Sequence, residues 1–320
     1  PKLYAEGKFG GIISAGGSGG TSMVTPGMRA LPIGVPKVMV STVAAGDVSG
    51  YVGSSDIFMY PSIVDVAGIN SISKQIFTNA ANAISGMVQH LTQDNEEKKE
   101  VIAASMFGVT TPCVEVARRL LEEKGYEVLV FHATGAGGKS MEKLIADGLI
   151  TGVLDITTTE WCDELFGGNM PGGPHRLEAA TKNGIAQVVS VGALDMVNFG
   201  AMETVPEKYH DRLFYQHNPM VTLMRTTAEE NKLLGLKIAE KLNLAVAKTI
   251  LLLPLQGVSG LDAKGSEFYA PEIDQVLFDT LKQAITNPLV EIQELDYPIN
   301  APEFASAAAT SLDQLIKKNY

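Results

Sequence analysis

The feature that most restricts this chain is a rhythm: short apolar runs of strand length alternate with stretches of helical periodicity along all 320 residues. Such alternation predicts parallel strands joined by helical crossovers and covered by helices. In the first third, strands are expected at Gly11–Ser14, Lys37–Ser41 and Asp56–Tyr60. A long helix should follow from about Asp65 to Leu91, with Ile69, Ile72, Ile76, Ala80, Met87 and Leu91 at helical spacing. Beyond it, strands are expected at 101–107, 127–133, 150–156, 185–191, 249–255 and 289–295. Helices are expected near 112–124, 139–147, 159–166, 175–183, 227–243, 272–286 and 302–318. Thr111 followed by Pro112 marks a helix start, and Thr227 with Glu230 forms a capping box. Gly125 and Gly148 sit where helices should stop.

At about 150 residues per domain, a chain of 320 suggests two domains. The mixed-charge run Glu96-Glu97-Lys98-Lys99-Glu100 reads as a solvated linker. Residues 1–93 then form an α/β domain, 94–100 the linker, and 101–320 a doubly wound α/β domain. The first domain is short of strands. A three-stranded parallel sheet buries little and leaves an exposed edge, so residues preceding Pro1, or another chain, are expected to cover it.

Composition removes several function classes. Asp and Glu number 36 against 25 Lys and Arg, a net charge of -11 with no basic patch, which argues against nucleic acid as a partner. The longest apolar run, Thr249–Leu255, contains Pro254 and is far too short to cross a membrane. The opening residues carry no signal-peptide core. Two cysteines, Cys113 and Cys162, cannot build a disulfide framework, which points to a reducing, cytoplasmic setting.

Chemistry is concentrated in glycine-rich segments after predicted strands. Gly16-Gly17-Ser18-Gly19-Gly20-Thr21 lies between a strand and a helix, where exposed amides and the helix N-terminus favour an anion. Its spacing is not that of the dinucleotide fingerprint. A second segment, Thr134-Gly135-Ala136-Gly137-Gly138-Lys139-Ser140, approaches the P-loop formula, but Ala133 stands where the first glycine belongs. A glycine turn with a solvated Lys139 is an equal reading. Asp155, at a strand end, could imitate a magnesium-binding carboxylate, and Asp195 occupies a comparable place. Thr110 and Thr111, Thr157 and Thr158, and Gly192 sit at further strand ends directed to the same crevice. Cys113 near a helix start is a minority candidate for an activated thiol, and His132 for an acid or base.

These segments, together with Pro36-Lys37-Val38-Met39-Val40-Ser41-Thr42, Met106-Phe107-Gly108-Val109-Thr110-Thr111-Pro112-Cys113, Val153-Leu154-Asp155-Ile156-Thr157-Thr158-Thr159-Glu160 and Ser190-Val191-Gly192-Ala193-Leu194-Asp195, resemble a known family. It is the ATP-binding domain family of the tomato mosaic virus resistance protein, and the similarity runs over essentially the whole chain. The resemblance implies two Rossmann-like parallel-sheet subdomains, the first truncated at its N-terminus, with ATP in or near the cleft between them and a homodimeric assembly. In the plant protein it implies binding to a viral replication protein. It names no reaction.

Three functional readings follow. The first is an ATP-binding protein in which Gly16–Thr21 and Thr134–Lys139 hold phosphates while Asp155 or Asp195 orients Mg2+. The second is an enzyme acting on a small phosphorylated or carboxylated metabolite, with Glu160, Asp195 or His132 as acid or base. The third is a protein-interaction module in which nucleotide only stabilises the dimer.

Overall fold

A computed structural model describes residues 1–89 and 99–318 of the chain. Two units emerge from it, Pro1–Glu97 and Lys98–Tyr320. The charged run expected as a linker lies mostly outside the described residues, as does the expected end of the long helix at Leu91.

The first unit runs α1 (Lys2–Ala5), β1 (Ile12–Gly16), α2 (Ser18–Arg29), β2 (Lys37–Ser41), α3 (Ser49–Val52), β3 (Phe58–Pro61) and α4 (Ser71–Gln89). Its three strands are parallel in the order β1-β2-β3, so β1 is an edge and Ile13 stays exposed there. Alternation along β2 sets its two faces. Met39 packs with Met28 of α2, while Val38 and Val40 pack with Ala80 of α4. The helix after β1 begins at Ser18, so Gly19 and Gly20 form its first turn instead of a preceding loop.

The second unit contains β4 (Val101–Met106), α5 (Thr111–Glu123), β5 (Glu127–His132), α6 (Ala136–Ala146), β6 (Gly152–Thr157), α7 (Glu160–Phe166), α8 (Ala179–Asn183) and β7 (Ala186–Gly192). It continues through β8 (Met196–Phe199), β9 (Phe214–Asn218), β10 (Val221–Arg225), α9 (Ala228–Leu242), β11 (Thr249–Pro254), α10 (Pro271–Ala284), β12 (Val290–Leu295) and α11 (Pro302–Lys318). Six parallel strands form the main sheet in the order β12-β11-β7-β6-β4-β5. All six coincide with the expected apolar runs. Ile250 and Leu252 of β11 face α5 and α11, whereas Leu251 and Leu253 face α9 and α10. Residues buried on both sides explain the near-continuous apolar strands.

From β4 the chain moves outward to β5 and then reverses to β6, which creates a topological switch point between β4 and β6. A small antiparallel sheet, β8-β10-β9, lies outside the strands expected from the sequence. No described helix is long and apolar enough to cross a membrane.

Candidate functional site

In the first unit, Gly16 ends β1 and Gly17 takes the N-cap position of α2 with extended backbone (φ -77°, ψ -164°) and no side-chain cap. A Cβ on Gly16 would lie 3.1 Å from Cα of Gly20, so the chain returns closely on itself. Around Gly19 and Gly20, by contrast, a Cβ would meet nothing within 4 Å. The first amides of a helix have no intrahelical acceptor, and here no side chain among the described residues accepts from them. Ser18 and Thr42 are exposed beside this turn. Thr21 differs from expectation: it is buried, donating to the Gly17 carbonyl (2.8 Å) and sharing a 2.6 Å hydrogen bond with Ser41 Oγ. Its hydroxyl ties α2 to β2 and does not face solvent. At the end of β3, Ile63 has φ +64°, a rare conformation for a β-branched residue.

The second glycine segment is built differently. Gly135 N–H donates to Glu160 Oε1 at 2.6 Å, and Gly138 N–H to the same oxygen at 3.1 Å. Glu160 Oε2 accepts from Arg176 Nε at 2.6 Å, and both side chains are buried. The anion facing this amide nest is therefore the chain's own carboxylate. A Cβ on Gly138 would fall 2.1 Å from Glu160 Oε2, on Gly137 1.9 Å from the His132 carbonyl oxygen, and on Gly135 2.7 Å from the Pro171 carbonyl oxygen. Internal packing accounts for all three glycines. The expectation that this segment holds phosphate is corrected accordingly: Glu160 fills the place a phosphate would take. Lys139 is exposed at its rim.

Arg176 organises the surrounding charge. Its guanidinium also donates to Asp155 Oδ2 (2.5 Å) and Oδ1 (2.6 Å), and it lies 3.4 Å from Glu142 Oε1. Burial opposes its charge, but Asp155, Glu160 and Glu142 outweigh burial and hold the guanidinium well above its ordinary pKa. Glu142 in turn accepts from the amides of Leu177 (2.6 Å) and Ala179 (2.8 Å). Leu177 adopts φ +69°, a strained turn that delivers Arg176 to the cluster.

This arrangement bears on the metal expectation. Asp155 Oδ1 accepts from Ser105 Oγ (2.6 Å) and Arg176, and Oδ2 from Arg176, so its charge is already paired with a buried guanidinium. Asp195 is buried, with Oδ2 accepting from Ser259 Oγ at 2.7 Å, and burial pushes its carboxyl up to about 6. Among the described residues no cluster of three or more His, Cys, Asp or Glu is placed to hold a metal ion. Asp155 is thus paired with Arg176, while Asp195 Oδ1 is buried without a hydrogen-bond partner among the described residues.

The remaining strand-end candidates are largely structural. Thr110 and Thr157 share a 2.8 Å hydrogen bond, Thr111 donates to the Phe107 carbonyl and Thr158 to the Ser190 carbonyl. Gly192 is required because a Cβ would stand 2.3 Å from the Ile156 carbonyl oxygen. Burial pushes the Cys113 thiol up to about 12, the reverse of an activated nucleophile. Thr134 and His132 line a pocket over the carboxyl ends of β4 and β5.

Comparison with known proteins adds two matches that together span the chain. Residues 1–93 match the N-terminal domain, and residues 99–316 the C-terminal domain, of an uncharacterised protein family, UPF0261. The chain belongs to the UPF0261 family. A UPF0261 protein of Clostridium tetani is 55% identical over 317 residues, covering 99% of this chain and 78% of the relative. A Rhizobium meliloti UPF0261 protein is 50% identical over 311 residues, 97% of this chain and 77% of its own length. The ToMV resistance protein Tm-1 of Solanum lycopersicum is 46% identical over 320 residues, 98% of this chain but only 42% of the tomato protein.

In this UPF0261 chain the residue that sequence reasoning missed is Arg176. One signal was present: carboxylates at buried strand ends need a buried cation. Nothing in the Pro171–Arg176 segment, rich in glycine and proline, identifies that cation by spacing.

Proposed function

We propose that this UPF0261 chain binds a phosphate-bearing small molecule, ATP being the first candidate, at the glycine-rich start of α2. The observation that carries this reading is the uncapped helix N-terminus after β1, with open space around Gly19 and Gly20. Amides at such a terminus suit a phosphate oxygen, and the exposed hydroxyls of Ser18 and Thr42 add neutral donors. The place is also the usual one for ligands in parallel sheets, beyond the carboxyl ends of the strands. This reading uses one glycine turn, not two, and assigns no role to Mg2+. A homodimer, implied by the family resemblance, and a cytoplasmic location, expected from the two unpaired cysteines, belong to the same proposal.

Calorimetric titration with ATP, ADP and inorganic phosphate tests it. Saturable heat is expected with ATP. Glu in place of Gly19 sets a carboxylate in open space at the helix start, where it costs no packing, and should weaken ATP about tenfold or more through charge repulsion and competition for the amides. Absence of heat with all three probes, or equal affinity in Gly19→Glu, overturns the assignment.

A further inference from the structure

The second unit contains a pocket of about 480 Å³ lined by none of the glycines Gly135, Gly137 and Gly138 of the second glycine segment, only Thr134 at its start reaching the wall. It lies where the chain leaves β4 and β5, beside the switch point of the six-stranded sheet, with the β9-β10 hairpin forming its other wall. Its size falls in the range of small-molecule sites.

The lining has a definite chemical character. His132, Thr134, Tyr215, His217 and Asn218 supply the polar groups, and every one of them can donate a hydrogen bond. Among the described residues, no Asp, Glu, Lys or Arg lines the pocket. The rest of the wall is apolar, with Phe107, Met170 and Leu223 prominent. Two of the polar rings are held by aromatic edges: His132 against Phe107 at 5.4 Å between centroids, and Tyr215 against Phe268 at 6.5 Å.

Each ligand class can be weighed against this wall. A cation would find no carboxylate, so its desolvation would go uncompensated. A polyphosphate would find no lysine or arginine fork. A monocarboxylate on an apolar, ring-sized body meets hydrogen-bond donors on both walls and aromatic and aliphatic surface between them. We propose that this pocket is a binding site for a small aromatic monocarboxylate, its carboxylate received by His132 and His217.

The proposal is independent of the phosphate site in the first unit and can fail or stand without it. The experiment is ligand-observed and imidazole-resolved NMR on the full chain, titrated with phenylacetate, phenylpyruvate, the neutral phenylacetamide and the cationic phenethylamine. Saturable binding of a carboxylate is expected, with shifts in both histidine side chains. Phenylacetamide should bind about tenfold more weakly than phenylacetate, the loss of one charge-assisted hydrogen bond. His132→Ala and His217→Ala remove exposed side chains and should each weaken phenylacetate about fivefold or more with unfolding temperature unchanged. Gly19→Glu should leave it unaltered. If neither carboxylate perturbs the imidazoles up to about 10 mM, if phenethylamine binds as well as phenylacetate, or if both alanine variants bind normally, the proposal falls.

Discussion

Two glycine-rich turns, one in each unit, look alike on the page and behave differently in the molecule. Both follow a parallel strand and open a helix, α2 in one case and α6 in the other. At α6 the amides of Gly135 and Gly138 close on Glu160, whose charge is balanced by Arg176. At α2 no side chain among the described residues closes on the corresponding amides. A glycine run therefore reports that something approaches the backbone closely, and it does not report what. In the second unit the visitor is a residue of the same chain. The turn in the first unit is the one proposed to receive a ligand.

If that contrast is right, removing the cation behind the filled turn has the largest consequence. Arg176→Met strands Asp155, Glu160 and Glu142 in the interior and should destabilise the second unit by about 3–5 kcal/mol. Trp161, the single tryptophan, is buried in this unit, so urea unfolding followed by its fluorescence isolates the effect. A loss below about 1 kcal/mol would mean that water reaches the cluster. The two units should also answer pH in opposite directions. Burial pushes the carboxyls of Asp163 up to about 7, Asp195 up to about 6 and Asp274 up to about 8. Such groups bind more protons folded than unfolded, so the second unit should lose several kcal/mol of stability as pH rises from about 4 to about 8. In the first unit, burial raises Asp56, but hydrogen bonds from Lys37 and the Gly34 amide outweigh it and hold it low. That contribution is complete above the ordinary aspartate range and lost on acidification. Stability profiles rising together with pH in both units would break the comparison.

Emptying the filled turn sharpens it further. Glu160→Ala leaves the Gly135 and Gly138 amides without their acceptor and should cost about 2–3 kcal/mol. Sulfate should then recover part of the loss by entering the vacated nest beside Arg176, while giving no such gain to the wild-type second unit. Equal sulfate effects on both proteins would show that the α6 turn is not an anion nest at all.

The larger sheet was legible because its inner strands β6, β7 and β11 are buried along their whole length and read as largely apolar runs, and the edge strands β5 and β12 keep apolar residues between their exposed polar ones. The β8-β10-β9 sheet was not, since Phe214–Asn218 carries Gln216, His217 and Asn218, and only pairing with β10 makes it a strand. At the sites the pattern is similar. Gly16–Gly20 could be read as an anion turn because strand, glycines and helix are contiguous. The occupant of Gly135–Gly138 could not, because Glu160 and Arg176 arrive from α7 and from the turn before α8. Short-range spacing carries backbone geometry. It does not carry the identity of a partner 25 or more residues away.

The smallest expected change in stability tests the open turn most directly. Gly17 already has the extended backbone of an N-cap, and a Cβ there would make ordinary contact with Thr42 Oγ1 at 3.6 Å. Gly17→Asp should therefore cap α2 and complement its dipole, raising stability by a few tenths of a kcal/mol, about the usual difference between glycine and aspartate at this position. The same carboxylate would occupy the amides proposed to receive phosphate, as Glu160 does at α6, and ATP should bind about tenfold or more weakly. Gly17→Asn, a cap without charge, should give a similar thermal shift with a smaller loss of affinity. A more stable Gly17→Asp protein that binds ATP as well as wild type would place the nucleotide away from α2, because a group already holding those amides would then compete with nothing.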